Sequence, residues 1–565
     1  GCVVHGRFAS HQVASAGDSS KAPSPYLRSL SSYTVLFSSS SSMSASATTR
    51  FGMLHGTALG EGSGSVHQYL GVPFAEPPRR FADPIDWSAP FEGGVRLAMR
   101  PGSVCVQPTV TAGDGFQGSE DCLFLNVWAP APSTVPLPVL FFVHGGDFLS
   151  GSGGEYNSSR LAARHRVVVV TTNYRLGALG WARLSEGRAN WGLKDQRSAL
   201  RWVRSNIAAF GGDPRRLCIF GESAGASSVA LHLLSPASRG LFGAALMESG
   251  SPIATPAGAA EELAADFFRH SGCGEAQRRG GQAVLSCLRA APIARLWRAA
   301  SAATAPPPGG GFLDQRTFAS VVDGVEVPAR PFELVASGAL ARVALLGGTN
   351  TDEGSGFVLP AVKRPLSAAA YTDYISKLTL RLEVPRANLS DVLAVYPPRP
   401  AADNAKLAAA LATDFLFRCG TRHLARAMSS RGNRAYLYRF DQRARDDTSE
   451  PVDWGVTHGS EVPFVFERGS WIDSGNTSFT PAERLLSVAI GGMWAAFASR
   501  AQPLPPAAWP AYRNGSEAQL VLSIREDATA PPPFRVEVPP RARECDFWER
   551  LQALVRDKEQ RVAAS

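Results

Sequence analysis

The sequence predicts an α/β protein built on a doubly wound, mostly parallel sheet with helices on both faces. Three observations lead there. Val139–Val143 and Val167–Thr172 are continuous apolar runs, as parallel strands buried on both faces display. From Ser198 to Ile207 the apolar spacing turns helical, until Asp213-Pro214 breaks the pattern before the next strand. Val343–Leu346, closing on Gly347-Gly348, supplies a further short strand. Strands alternating with helical stretches are what βαβ units produce.

With 565 residues, 44% of them apolar, the chain can bury a sizeable core. No repeat of solenoid period appears, and residues 51–550 read as one domain. Residues 1–50 are Ser-rich with Asp18 as their single acid, and read as a disordered leader. Residues 551–565 read as a C-terminal tail. The Pro/Gly stretches Ala305–Gly311, Pro503–Ala508 and Pro531–Pro540 read as surface loops.

Several classes are disfavoured. The net charge of +8 comes from scattered arginines, with six lysines in all, and no basic stripe interleaves with aromatics. No nucleic-acid partner is therefore expected. No apolar run approaches the roughly 18 residues of a membrane span. Tyr33–Phe37 is too short for the core of a signal peptide, so no such peptide is visible. Cysteine spacing fits no zinc pattern, and neither a metal nor a cofactor is expected. Among the eight cysteines, two close pairs and one distant pair can be drawn, leaving Cys2 and Cys218. Cys218 lies in an apolar strand and reads as a small buried residue. Sequons at Asn157, Asn388, Asn476 and Asn514 are glycosylation candidates and fit an exported protein.

The chemistry concentrates at Gly221-Glu222-Ser223-Ala224-Gly225, which follows the strand Leu217–Phe220 and opens an apolar helix. A serine on so tight a strand-to-helix turn sits in a strained conformation with its Oγ exposed above the sheet. The helix behind it aims amide dipoles at any oxyanion that forms. Such a serine needs an imidazole to take its proton and a carboxylate to orient that imidazole. In sheets of this kind the order along the chain is serine, acid, histidine. Asp352 and Glu353 follow a strand, and His458 sits in a Gly-bounded loop. His232, His270 and His423 fall within helical patterns, where packing or surface roles are expected. Order and context favour His458.

Beyond this motif the chain resembles the carboxylesterase and cholinesterase family of α/β-hydrolases across nearly all of residues 51–550. The matching blocks include Gly71-Val72-Pro73-Phe74-Ala75-Glu76-Pro77-Pro78, Ser119-Glu120-Asp121-Cys122-Leu123, Asn173-Tyr174-Arg175-Leu176-Gly177 and Phe210-Gly211-Gly212-Asp213-Pro214. The resemblance implies an α/β-hydrolase fold, with Ser223 as nucleophile, Glu353 rather than Asp352 as acid, and His458 as base. It implies the disulfides Cys105–Cys122, Cys273–Cys287 and Cys419–Cys545, hence export to an extracellular setting. The oxyanion hole would comprise the amides of Gly146, Asp147 and Ala224.

Three departures from the family pattern matter. Its third oxyanion glycine is Asp147 here. An ionised carboxylate 4 Å from the developing oxyanion would cost about 4 kcal/mol at an effective dielectric of 20. Three readings stand: Asp147 faces solvent, or lies inward and protonated, or acts as a base that places water against a phosphorylated Ser223. In this family a polar residue there is associated with organophosphate turnover at the expense of esters. Next, cholinesterases carry a tryptophan in the Cys105–Cys122 loop and an aromatic beside the acid; this chain has only Phe116 and Gly356. Quaternary ammonium binding needs aromatic faces, so a carboxylesterase is expected rather than a cholinesterase. Last, the short loop at 76–81 is expected to affect only the surface. The sequence thus points to a secreted serine carboxylesterase acting on small-molecule esters. A slow or non-catalytic cholinesterase-like scavenger or adhesion protein, and a true cholinesterase, are the alternatives. Pocket walls are expected from Ser251–Ala260 and Gly311–Val322; acyl and alcohol specificity and oligomeric state are not legible.

Overall fold

The computed structural model describes residues 43–563, apart from 61–63, 110–114, 132–133, 185–186, 307–314, 382–388, 445–450, 469–478, 506, 514 and 525–533. The first eight strands are β1 (Ser44–Thr49), β2 (Gly52–Leu59), β3 (Val66–Pro73), β4 (Val95–Leu97), β5 (Gln107–Pro108), β6 (Phe116–Gln117), β7 (Phe124–Pro130) and β8 (Leu137–Val143). The remainder are β9 (Val168–Thr172), β10 (Gly212–Glu222), β11 (Ala244–Glu248), β12 (Ala344–Asn350), β13 (Ala435–Phe440), β14 (Gln519–Leu522) and β15 (Arg535–Glu537). β5 and β6 pair separately. All others join one sheet in the order β1-β2-β3-β7-β9-β8-β10-β11-β12-β13-β14-β15, with β4 beside β2. From β9 through β8 and β10 to β14 every pairing is parallel; the flanking pairs are antiparallel except β2 with β4, which is parallel.

The apolar runs follow from this arrangement. β8 is buried at all seven positions. Val139, Phe141 and Val143 enter one core while Leu140 and Phe142 enter another on the opposite face. β10 divides likewise, Ile219 joining the first core and Cys218 and Phe220 the second. A strand with two dry faces has no polar side to show, so its sequence does not alternate.

The chain leaves β8 for β9 on one side and then crosses back to β10 on the other. Ligand sites of open α/β sheets form at such a switch point, beyond the carboxyl ends of the strands. Ser223 follows β10 there and residues 144–147 follow β8.

The structure differs from the sequence reading at several places. β1 lies inside the expected leader, its Ala45, Ala47 and Thr49 buried alternately; side chains this small leave little apolar signal. Residues 1–42 fall outside the described residues, Cys2 among them. The expected tail contains the end of the helix Ala542–Ala563. β10 begins at Gly212 and holds Asp213-Pro214 within a register shift between Gly212 and Leu217, where a bulge removes the need for a ladder donor. β15 interrupts the expected 531–540 loop, and part of the 305–311 stretch lies outside the described residues.

The 76–81 loop is structural rather than superficial. Arg80 makes a two-pronged ion pair with Glu120, both contacts at 2.6 Å. Its other nitrogen reaches the carbonyls of Leu288, Arg289 and Ala291. This one side chain therefore joins the Cys105–Cys122 loop to a helical layer some 200 residues later. The disulfides Cys105–Cys122, Cys273–Cys287 and Cys419–Cys545 are formed, and Cys218 is buried and free. No helix among the described residues is long and apolar enough to cross a membrane.

Arg80→Ala would strand Glu120 and three carbonyls at once. Denaturant unfolding should show a loss on the order of 2 kcal/mol. Arg215→Ala, at a guanidinium 88% exposed, should stay within about 0.5 kcal/mol of the parent.

Candidate active site

Ser223 has φ 58° and ψ −123°, a sparsely populated backbone conformation. Packing holds it there. A Cβ on Gly225 would lie 2.0 Å from the Val143 carbonyl oxygen, and one on Gly221 would lie 2.7 Å from the same atom. The two glycines thus let the helix Ala224–Leu234 press against the end of β8. The Ser223 N–H donates to Glu248 O at 2.9 Å, anchoring the turn to β11.

The turn after β8 lies against this serine. His144 is buried, stacks on Tyr174 with ring centres 4.3 Å apart, and accepts the Tyr174 hydroxyl on its carbonyl at 2.8 Å. Burial drops its imidazole to about 4, so it is neutral. Asp147 and Phe148 both have positive φ, 54° and 57°, and Leu149 N–H closes the turn on Gly146 O at 2.9 Å. Aspartate is among the few residues that accept this conformation. The Asp147 side chain is half-buried and accepts the Thr317 hydroxyl at 3.2 Å. It is neither turned fully to solvent nor sealed from it, and it contacts the 315–322 wall.

His458 donates or accepts through Nδ1 with Glu353 Oε2 at 2.7 Å, both residues being buried. The second Glu353 oxygen accepts Asn350 N–H at 2.8 Å. A charged acceptor so placed favours the Nδ1–H tautomer. Asp352 accepts Val456 N–H at 3.1 Å instead, which pins the histidine loop. Gly455 in that loop has φ 79°, and a Cβ there would lie 2.2 Å from the Asp352 carboxylate. Neither Ser223 Oγ nor His458 Nε2 makes a hydrogen bond among the described residues. Contacts of this kind often tighten only in the Michaelis complex. His232 is buried between Gln196 and Ser238, while His270 and His423 sit on the helices Ala257–His270 and Cys419–Ser430.

Sequence reasoning missed the groups around the imidazole. Glu222 Oε1 lies 3.2 Å from His458 Nε2. Glu461 accepts from Ser249 Oγ at 3.1 Å and Asn350 Nδ2 at 2.5 Å. Glu248 accepts from Trp494 Nε1 at 2.6 Å. All three are buried; burial, with neighbouring carboxylates, raises each above the ordinary range, Glu461 to about 8. Burial alone would lower His458, but Glu222, then the Glu353 hydrogen bond and charge, outweigh it and raise the ring to about 9. Phe357 and Phe417 flank the ring, with centres 5.2 and 4.7 Å away. Phe417 belongs to a π-helical turn, Asp414–Arg418, whose carbonyls at 416 and 417 accept Ser251 Oγ. The available signal was that Glu222 and Glu248 end neighbouring strands, in register with each other. Among the sequons, Asn157 is exposed, whereas Asn388, Asn476 and Asn514 lie outside the described residues.

The family model described as the carboxylesterase family matches residues 43–548. Acetylcholinesterase of Bungarus fasciatus is 33% identical over 546 residues, covering 88% of this chain and 85% of that protein.

If His458 serves as a general base it must be neutral to act, and ester kcat/KM should then rise as it loses its proton, with an acid limb near pH 9. Glu222→Gln removes the largest charge favouring the imidazolium. A pH–rate series should place its acid limb at lower pH than the parent's. An unmoved limb would separate Glu222 from the base.

Proposed function

Because the chain belongs to the carboxylesterase family, we propose that residues 44–563 form one catalytic unit that hydrolyses carboxylic esters through an acyl-enzyme on Ser223. The observation that carries the proposal is a buried imidazole tied to Glu353 through Nδ1, its Nε2 lying 3.2 Å from Oε1 of Glu222, the residue that precedes Ser223. His458 Nε2 takes the serine proton as Oγ adds to the ester carbonyl. The amides of Gly146, Asp147 and Ala224 receive the oxyanion, aided by the dipole of the helix Ala224–Leu234. Collapse returns the proton to the departing alcohol, and water, activated by the same imidazole, releases the acid.

The surroundings support esters of uncharged alcohols. The rings nearest the imidazole are Phe357 and Phe417, and the Cys105–Cys122 loop offers only Phe116, which packs on Trp297 at 6.1 Å. The three disulfides and exposed Asn157 support an exported glycoprotein.

Asp147 favours a second property. Its carboxylate, held by Thr317, lies beside the amide that would donate to the oxyanion. There it opposes the charge of an ester intermediate, and in a phosphorylated enzyme it can orient a water against phosphorus. We read the protein as an esterase slowed at this position, with organophosphate turnover gained.

Ser223→Ala should lower p-nitrophenyl acetate turnover by roughly 10⁴-fold or more; equal inertness of parent and variant would instead favour a scavenger or adhesion role. Asp147→Gly should raise ester kcat/KM by about tenfold or more and abolish reactivation of the diethylphosphoryl enzyme. A parent that never reactivates would remove the organophosphate reading.

A further inference from the structure

A cavity of about 300 Å³ lies between the segment that follows β3 and the helix Trp191–Asn206, and shares no residue with the Ser223 site. Its apolar wall is aromatic: Phe74 and Trp202 are buried and Trp87 is half-buried. The Trp87 ring is held by its own N–H, which donates to Ala89 O at 2.7 Å.

Three guanidinium groups line the same space, those of Arg50, Arg201 and Arg204. Arg201 is already neutralised, since Asp86 accepts its Nε and Nη2 at 2.7 and 2.6 Å, and also accepts Ser198 Oγ at 2.6 Å. Asp86 is the only carboxylate on the wall. Arg50 lies 4.6 Å over the Phe51 ring and adds to the positive field that lowers Asp86, whereas the ion pair of Asp86 is made with Arg201. The wall thus carries two uncompensated positive charges.

Size, flat apolar walls and unpaired guanidinium groups define one kind of ligand. Cavities near this volume accept small organic molecules, orienting them with a few polar groups. Arginine suits the planar, two-pronged recognition of oxyanions. We propose that this cavity binds a small organic anion, its flat apolar body against the half-buried Trp87 and its carboxylate, sulfonate or phosphate group at Arg50 and Arg204.

Titration calorimetry of the full chain with 2-naphthalenesulfonate, which carries no ester bond, tests this. The parent should bind at one site, more weakly as salt is added. The neutral 2-naphthalenesulfonamide should bind roughly tenfold more weakly or worse. Arg50→Gln/Arg204→Gln should lose about tenfold or more in sulfonate affinity while melting as the parent does. Should the double variant melt lower, Arg50→Gln and Arg204→Gln taken singly decide by the same criterion. Ser223→Ala, which removes the hydroxyl of the separate Ser223 site, should leave sulfonate binding intact. Absence of binding at millimolar probe, equal affinity for the sulfonamide or for the arginine variants, or loss of binding in Ser223→Ala would each overturn the proposal.

Discussion

Close contact between the helix Ala224–Leu234 and the end of β8 governs the rest of this molecule. Val143 O lies where a Cβ on Gly225 would have to be, and the parallel pairing of β8 with β10 brings the two segments together. The reversal between β10 and that helix can then be made only through a residue in the conformation that Ser223 adopts. The same contact sets the turn after β8 beside the serine, because Glu222 and Ser223 crowd Gly145 as well. Ser223 and the turn at residues 144–147 are thereby positioned by one packing constraint.

Around this constraint the protein assembles an unusual amount of buried negative charge. Glu222, Glu353 and Glu461 converge on one imidazole, and Glu248 at the end of β11 lies in the field of Glu222 and Glu461. Burial opposes every charge in such a group, and the carboxylates oppose one another. Glu248 and Glu461 relieve this by favouring their protonated forms, while Glu353 is held by a backbone N–H and by His458. The imidazolium that forms during proton transfer would thus arise in a field already arranged to stabilise it. The same field holds the resting ring protonated to higher pH, which sets base strength against availability near neutrality.

Legibility tracked periodicity and local motif. β8 and β9 were visible because strands buried on both faces have no polar alternation. The elbow was visible because a tight strand-to-helix turn needs glycines at fixed spacing. Glu353 and His458, 105 residues apart, could be named only through order along the chain and resemblance to a family. β1 was lost among alanines and serines too small to register. The role of Arg80 was lost because a short polar loop looks the same whether it faces water or joins two distant layers.

What the sequence by itself determined is the doubly wound sheet, the serine on its turn and the family of the chain. Each is written in local periodicity or contiguous motif. Tertiary structure alone decided what surrounds the imidazole: Glu222 at 3.2 Å, Phe357 and Phe417 on its flanks, and Thr317 on the Asp147 carboxylate. These contacts join residues dozens to hundreds of positions apart, and burial, which fixes both ring packing and proton affinity, exists only once the chain has closed on itself.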